Sequence, residues 1–151
     1  ADLALRLAAL AGADLSVNPA KIDGGGPNNI VPDTAVLRWN MRPRNAMAQA
    51  RAEAGINAAV AEVATAHDVH IHVHGRFARP PKPMDPHQQR LFDLVKFCGA
   101  ALGLNIGWRD TGGVCDGNNI AATGLSVVDT LGPRGGAIHS ADEFLCADSL
   151  E

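Results

Sequence analysis

Residues 111–143 constrain this chain most, because they contain two glycine-rich loops on either side of a short apolar segment. Gly112 and Gly113 open the first loop, and glycine lets the backbone approach a ligand closely or take positive φ without strain. The apolar segment 125–128 is typical of a short buried strand. Such a strand would deliver the second loop, residues 132–136, to the carboxyl end of a sheet, where α/β proteins bind ligands.

His139 follows the second loop and is the candidate for metal-binding chemistry. A neutral imidazole is the commonest side-chain ligand of zinc. Asp142 and Glu143 stand near enough in the sequence to orient the other ring nitrogen of this imidazole. The alternative on sequence alone is a surface-loop histidine hydrogen-bonded to Asp142. A single histidine would hold zinc poorly, so further ligands are needed.

Hydrophobic spacing predicts an α/β chain whose first half has the order helix, strand, strand, helix, strand. The predicted elements are a helix ending at Gly12, strands over 15–22 and 34–42, a helix capped by Asn45 that buries Ile56, Val60 and Val63 and ends near His67, and a strand over 69–77. With one more strand at its start, this order is that of a β-α-β-β-α-β ferredoxin-like sandwich. Period-2 alternation in 34–42 turns Leu37, Trp39 and Met41 to one face and Arg38, Asn40 and Arg42 to the other.

The proline-rich segment 79–86 is the predicted linker between two domains. The expected units are a lid-like domain over 1–79 and a second segment over 80–151. In the second segment, we expect a helix over 86–102, with Leu91, Leu94, Val95 and Cys98 on its apolar face, and a strand over 105–108.

Composition limits the classes of partner. The hydrophobic share of 46% is enough for a core, and a net charge of −3 gives no reason to expect nucleic acid or an anionic membrane surface. The sequence has no apolar run long enough to cross a membrane, and residues 1–13 are expected to form an amphipathic helix, not a signal peptide. The odd number of cysteines, without CxxC spacing, predicts free thiols in a reducing compartment, the cytoplasm.

Four blocks resemble the zinc-dependent aminoacylase and carboxypeptidase family, which includes glutamate carboxypeptidase, acetylornithine deacetylase and succinyl-diaminopimelate desuccinylase. They are NNIVPDTAVLRWNMR at 28–42, GGVCDG at 112–117, GLSVVDTLGPRGG at 124–136 and HSADE at 139–143. The resemblance implies a di-zinc hydrolase of N-acyl amino acids or short peptides, with cobalt or manganese as possible substitutes for zinc. The residues of the stretches GGGPNNIVP and GGVCDGN favour a glutamate-carboxypeptidase-like hydrolase over a desuccinylase.

The resemblance also assigns roles to residues. Arg42 matches the arginine that grips the substrate carboxylate, and Asn29 matches the asparagine that assists it. Gly112 and Gly113 are the matching substrate-loop positions, and His139 matches a metal ligand. On sequence alone, an exposed arginine at the end of a strand is the alternative for Arg42. A planar guanidinium forms two parallel hydrogen bonds to a carboxylate, which lysine cannot do.

Other parts of the family's site are absent from these 151 residues, which contain no His-x-Asp and no Glu-Glu. The resemblance therefore implies the C-terminal part of a metallohydrolase, with a lid that lacks its first strand. The catalytic base and the oxyanion histidine are expected upstream, so no catalytic residue is assigned here and the chain alone is expected to be inactive. Homodimerisation through the lid is implied. Two alternatives stay open: a non-catalytic dimerisation module, or one half of a split enzyme.

Further candidates have weaker support. His70, His72 and His74 alternate as H-x-H-x-H and invite a metal hypothesis, but the family has no ligand there and a solvated strand face is favoured. Cys115 has no histidine beside it in the sequence, which argues against a thiol nucleophile. Asp116 is either a group behind the site or the cap of a loop.

Overall fold

The computed structural model describes residues 1–150, and Glu151, the last residue of the predicted second segment, lies outside them. The elements are α1 (Asp2–Ala8), β1 (Leu15–Gly24), β2 (Ala35–Pro43), α2 (Ala46–His67), α3 (Pro86–Ala101), α4 (Asp116–Ala121), β3 (Gly135–Gly136), β4 (Phe144–Leu145) and a 3-10 turn at Ala147–Ser149. This mixture of helices and small antiparallel sheets agrees with the predicted α/β class. In the described part of the chain, no helix combines the length and apolar character needed to cross a membrane.

The hairpin of β1 and β2 carries the main core on one face. The strands pair antiparallel with Ser16 opposite Arg42, and a bulge follows Pro19. The buried core comprises Leu7, Leu15, Met41, Ala52 and Ala59. Met41 lies under α1 and α2, whereas Arg42 is exposed on the other side of the sheet. The predicted alternation along β2 is therefore confirmed.

Helix α2 begins where the sequence predicts. The Asn45 side chain accepts a hydrogen bond from the Ala48 N–H at 2.8 Å, and the helix ends before Asp68, which has φ 50°. The predicted buried stripe is only partly correct, since Ile56 and Val60 are half-buried. The buried residues are Ala48, Ala52, Ala59 and Val63. Alanines form most of the contact because short side chains let the helix lie close to the sheet.

Three predicted strands do not form within residues 1–150: segments 69–77, 105–108 and 125–128 have no strand pairing. Apolar content predicted strands there, but a strand also needs a hydrogen-bonded neighbour. Phe77 packs against the hairpin core, and Ile106 fills the space beside Gly99, where a Cβ would overlap the isoleucine side chain. These segments contribute side chains to packing without forming a ladder.

The apolar face of α3 also differs from the prediction. Leu94 is 56% exposed and Cys98 is exposed, whereas Gln88, Phe92 and Gly99 are buried. The reason is a stacked contact between Phe92 and Trp108, whose ring centroids are 4.0 Å apart. This contact rotates the buried face of α3 away from the stripe with the most leucine and valine.

Candidate substrate and metal site

Arg42 lies on the exposed face of β2, near the end of the strand. Its Nε donates to Asn40 Oδ1 at 2.8 Å, and its Nη1 donates to the Gly112 carbonyl at 3.0 Å. Residues two apart on a strand share a face, which explains the contact with Asn40. The contact with Gly112 joins the hairpin to the first glycine loop. Two positions that the sequence assigned to substrate binding therefore lie side by side.

Both hydrogen bonds hold the guanidinium in a defined orientation. With Nε occupied by Asn40, the side-on pair of donors, Nε and Nη2, is not available to a carboxylate. The terminal pair, Nη1 and Nη2, retains donors, because Nη1 uses one N–H on Gly112 and no other hydrogen bond to Arg42 occurs within residues 1–150. The guanidinium end therefore offers an incoming carboxylate the N–H groups of Nη2 and the second N–H of Nη1.

The glycine loop approaches Arg42 closely. A Cβ placed on Gly112 would lie 3.7 Å from Arg42 Cδ, which is ordinary van der Waals contact. The backbone N–H of the next residue, Gly113, is already used, because it donates to Thr111 Oγ1 at 2.9 Å. A second contact, Arg44 Nη1 to Asp110 Oδ2 at 3.6 Å, places the start of the loop against the same end of β2.

Asn29 lies in an exposed turn, in which the Ile30 N–H donates to the Pro27 carbonyl at 3.0 Å. Within residues 1–150, no hydrogen bond joins the Asn29 side chain to Arg42. Asn40 orients the guanidinium instead. Sequence reasoning placed Asn40 on the correct face but gave it no role, although the i, i+2 spacing to Arg42 was a usable signal. Substrate contact by Asn29 stays a prediction.

His139 lies in an exposed loop between β3 and β4 and has φ 67°, an uncommon left-handed conformation for a residue other than glycine. Its backbone N–H donates to Glu143 Oε2 at 3.1 Å. The Asp142 N–H donates to Ser140 Oγ at 3.1 Å. The expectation that these carboxylates orient the imidazole is therefore wrong for this conformation, because Glu143 holds the backbone and not the ring.

The donor set around His139 does not form a complete zinc site. Across residues 1–150, no group of three or more histidine, cysteine, aspartate or glutamate side chains converges so as to hold a metal ion. Structural zinc requires four ligands and catalytic zinc typically three from protein. A zinc ion at His139 would need further ligands from outside the described residues.

A half-buried polar cluster next to the glycine loop was missed by sequence reasoning. Asp129 Oδ2 accepts from Lys82 Nζ at 2.6 Å and from Cys115 Sγ at 2.8 Å. Burial opposes ionisation of this carboxyl, but the thiol and the ammonium together hold the pKa of Asp129 below its usual value. A Cβ on Gly117 would overlap Asp129 Oδ2, so this glycine permits the close approach. The cluster fixes the start of α4.

Side chains of α4 also hold the start of the proline-rich segment 79–86. Arg79 pairs with Asp116 at 3.1 Å, and Asn118 Nδ2 donates to the Pro80 carbonyl at 2.9 Å. Asp116 thus forms an exposed ion pair. Cys115 Sγ donates to the Asp129 carboxylate, so within residues 1–150 the thiol has no histidine partner of the kind that activates cysteine nucleophiles. The segment predicted as a linker is packed against its neighbour, and the domain boundary itself stays a prediction.

Three curated relatives are similar to this chain, and each is named succinyl-diaminopimelate desuccinylase. The protein from Pseudoalteromonas translucida is 29% identical over 87% of this chain and 34% of its own length. The protein from Thioalkalivibrio sulfidiphilus is 29% identical over 85% and 32%, and that from Methylococcus capsulatus is 32% identical over 85% and 32%. The resemblance to the zinc-dependent aminoacylase and carboxypeptidase family is confirmed.

The match covers most of this chain but only part of each relative. The chain spans about a third of the length of the curated relatives it matches. No family model matches the sequence. No solved structure matches it either. The preference for a glutamate carboxypeptidase over a desuccinylase finds no support among these three relatives.

Proposed function

We propose, from the similarity to three desuccinylases, that this chain is the C-terminal part of a zinc-dependent amidohydrolase that acts on N-acyl amino acids or short peptides. The observation that carries the proposal is the contact between Arg42 and Gly112. These residues come from separate family-like blocks, and their contact leaves a guanidinium end free beside a glycine loop. The names of the relatives favour an N-succinyl diamino acid as the substrate.

In this proposal, the chain's own residues recognise the substrate. Arg42 binds a carboxylate end-on through Nη1 and Nη2, with Asn40 and Gly112 holding the guanidinium in place. Gly112 and Gly113 leave room for the amide near the guanidinium, and Asn29 reaches the substrate from its turn. Binding through remote charged groups positions the scissile bond, which lowers the entropic part of the barrier.

His139 is proposed as one zinc ligand of the complete enzyme. The other ligands, the catalytic base and the oxyanion histidine are proposed to lie outside residues 1–150, because the sequence has no His-x-Asp and no Glu-Glu. The chain alone is therefore expected to be inactive. The unpaired thiols of Cys98, Cys115 and Cys146 support a reducing compartment, the cytoplasm.

The hairpin with α1 and α2 is proposed as part of a ferredoxin-like lid that also forms a homodimer. Within residues 1–150, β1 and β2 form a ladder only with each other, and apart from a single bridge between Gly12 and Leu15 their outer edges are open. An open edge is a template for pairing with a second copy. Sedimentation of the purified chain without added metal tests this: a dimer is expected, and a monomer at tens of micromolar would contradict it.

A chimera tests the catalytic proposal. This chain replaces the matched third of the desuccinylase from Pseudoalteromonas translucida, and hydrolysis of an N-succinyl diamino acid is measured. We expect zinc-dependent turnover by the chimera and none by the chain alone. A folded chimera without turnover, or turnover by the chain alone, would overturn the assignment.

A further inference from the structure

The alternating histidines at 70, 72 and 74 lie outside the candidate site and have no role in the proposed hydrolysis. They follow α2 in a segment that forms neither helix nor strand within residues 1–150. All of them are exposed. Neighbouring rings of the motif lie close together, so the imidazoles share one solvent region.

The ring geometry distinguishes the two neighbouring pairs. The ring centroids of His70 and His72 are 4.4 Å apart, whereas those of His72 and His74 are 6.4 Å apart. Two imidazoles on one metal ion place their centroids about 4.5–5 Å apart, given a metal–nitrogen bond of about 2.0–2.1 Å. The separation of the first pair is close to this range. The edge-to-face angle of 79° between its rings can be relieved by rotation about χ2, which is broad for histidine.

The imidazoles of this cluster are also free to bind. Within the described residues, none of the rings at 70, 72 and 74 makes a hydrogen bond or ion pair. By contrast, His67 Nε2 contacts Asp2 Oδ2 at 2.9 Å, and His87 Nδ1 contacts Arg90 at 2.6 Å. A metal ion at the free cluster therefore displaces no protein partner, and only water and rotamer freedom are lost.

We propose that His70 and His72 form an exposed two-imidazole chelate for a borderline divalent transition metal such as Ni²⁺, Cu²⁺ or Zn²⁺. Imidazole suits these ions, whereas Mg²⁺ and Ca²⁺ prefer oxygen ligands. His74 is the weaker third position, because its ring is more distant and Arg76 adds a positive charge at that end of the segment. The remaining coordination positions hold water. This site is separate from His139.

Titration calorimetry with Ni²⁺ tests the chelate on the full chain. We expect one ion per chain, with affinity reduced about tenfold or more by His70→Ala or His72→Ala, because the second ligand of a chelate acts at a high effective concentration. His74→Ala should change the affinity less than about threefold on the same reasoning. His87→Ala is the matched control that should leave it unchanged.

Two results would overturn the chelate. One is an affinity that His72→Ala does not change, and the other is a loss that follows His139→Ala instead. Imidazole NMR spectra of the unaltered chain provide a second readout that needs no variant. Ni²⁺ should broaden the ring signals of His70 and His72 before those of His87, and uniform broadening of all histidines would contradict the proposal. Neither readout requires hydrolase activity, so its outcome is independent of the proposed function.

Discussion

Arg42 and Gly112 are joined by a hydrogen bond of 3.0 Å across a separation of 70 residues. One residue lies next to the end of an amphipathic strand and the other opens a glycine loop, and each belongs to a family-like block of sequence. Asn40 completes the arrangement by holding Nε. The result is a guanidinium whose free end is fixed before any ligand arrives, which is the preorganisation that carboxylate recognition requires.

Replacing Arg42 by lysine should weaken substrate binding in the chimera. A lysine ammonium cannot form the two parallel hydrogen bonds, so KM for an N-succinyl diamino acid should rise about tenfold or more while kcat changes less. Steady-state kinetics check this. Arg38→Lys, on the same exposed face of β2, is the matched control. Equal effects of the two substitutions would remove the special role of Arg42.

Asp129 should make stability depend on acid pH. Because its pKa is lowered in the folded state, its ionised form stabilises the fold above the unfolded-state value of 3.8, and this contribution is lost as pH falls through the folded-state pKa. The free energy of unfolding, measured with urea between about pH 2 and pH 6, should fall more steeply toward acid pH in the unaltered chain than in Asp129→Asn.

The Cys115 thiol provides a paired control for this effect, because it donates to Asp129. Cys115→Ser keeps a donor and should retain most of the acid dependence, whereas Cys115→Ala should reduce it. Identical pH profiles for Asp129→Asn and the unaltered chain would show that the carboxyl does not contribute.

Gln88 should be unusually important for a polar helix residue. Its side chain is buried and contacts the backbone of Val127 twice: Oε1 accepts from the N–H at 2.9 Å, and Nε2 donates to the carbonyl. Gln88→Ala leaves both backbone groups without these partners and should lower the free energy of unfolding by about 1–3 kcal/mol. Urea denaturation measures this, with exposed Gln89→Ala expected to cost less than about 0.5 kcal/mol. A similar cost for both would contradict the contact.

Gly117→Ala should destabilise the chain although alanine is the better helix former. The new methyl would overlap Asp129 Oδ2, which Lys82 and Cys115 already hold, so the free energy of unfolding should fall by about 1–3 kcal/mol. Gly107→Ala is the control, because no atom lies within 4 Å of its added methyl. Thermal unfolding compares the two. An unchanged Tm for Gly117→Ala would contradict the prediction, because the Asp129 side chain would then move away from the methyl at little cost.

Local patterns were sufficient for the parts of the fold that depend on near neighbours. The alternation along β2 and the Asn45 cap both depend on residues a few positions apart, and both are confirmed. The segment 125–128 was misread because its apolar content does not reveal what satisfies its backbone. The partner of Val127 is the side chain of Gln88, 39 residues earlier.

In the candidate site too, the features set by near neighbours were predictable and the contacts between distant residues were not. Arg42 and Gly112 were selected from their own blocks, but the sequence has no signal that one would donate to the other. Asp129 was missed because its partners, Lys82 and Cys115, lie in separate segments. His139 lies in an exposed loop, the position that the alternative interpretation of the sequence gave it, yet the role of Glu143 as a backbone acceptor depends on the left-handed turn.

The most direct test of the central claim is turnover of an N-succinyl diamino acid by the chimera, compared with its His139→Ala variant. If His139 is a zinc ligand of the complete enzyme, the chimera should hydrolyse the substrate, and His139→Ala should lower kcat/KM about a hundredfold or more without unfolding the protein. The unmodified chain alone should show no turnover. Equal activity of the chimera and His139→Ala, or a folded chimera with none, would contradict the account.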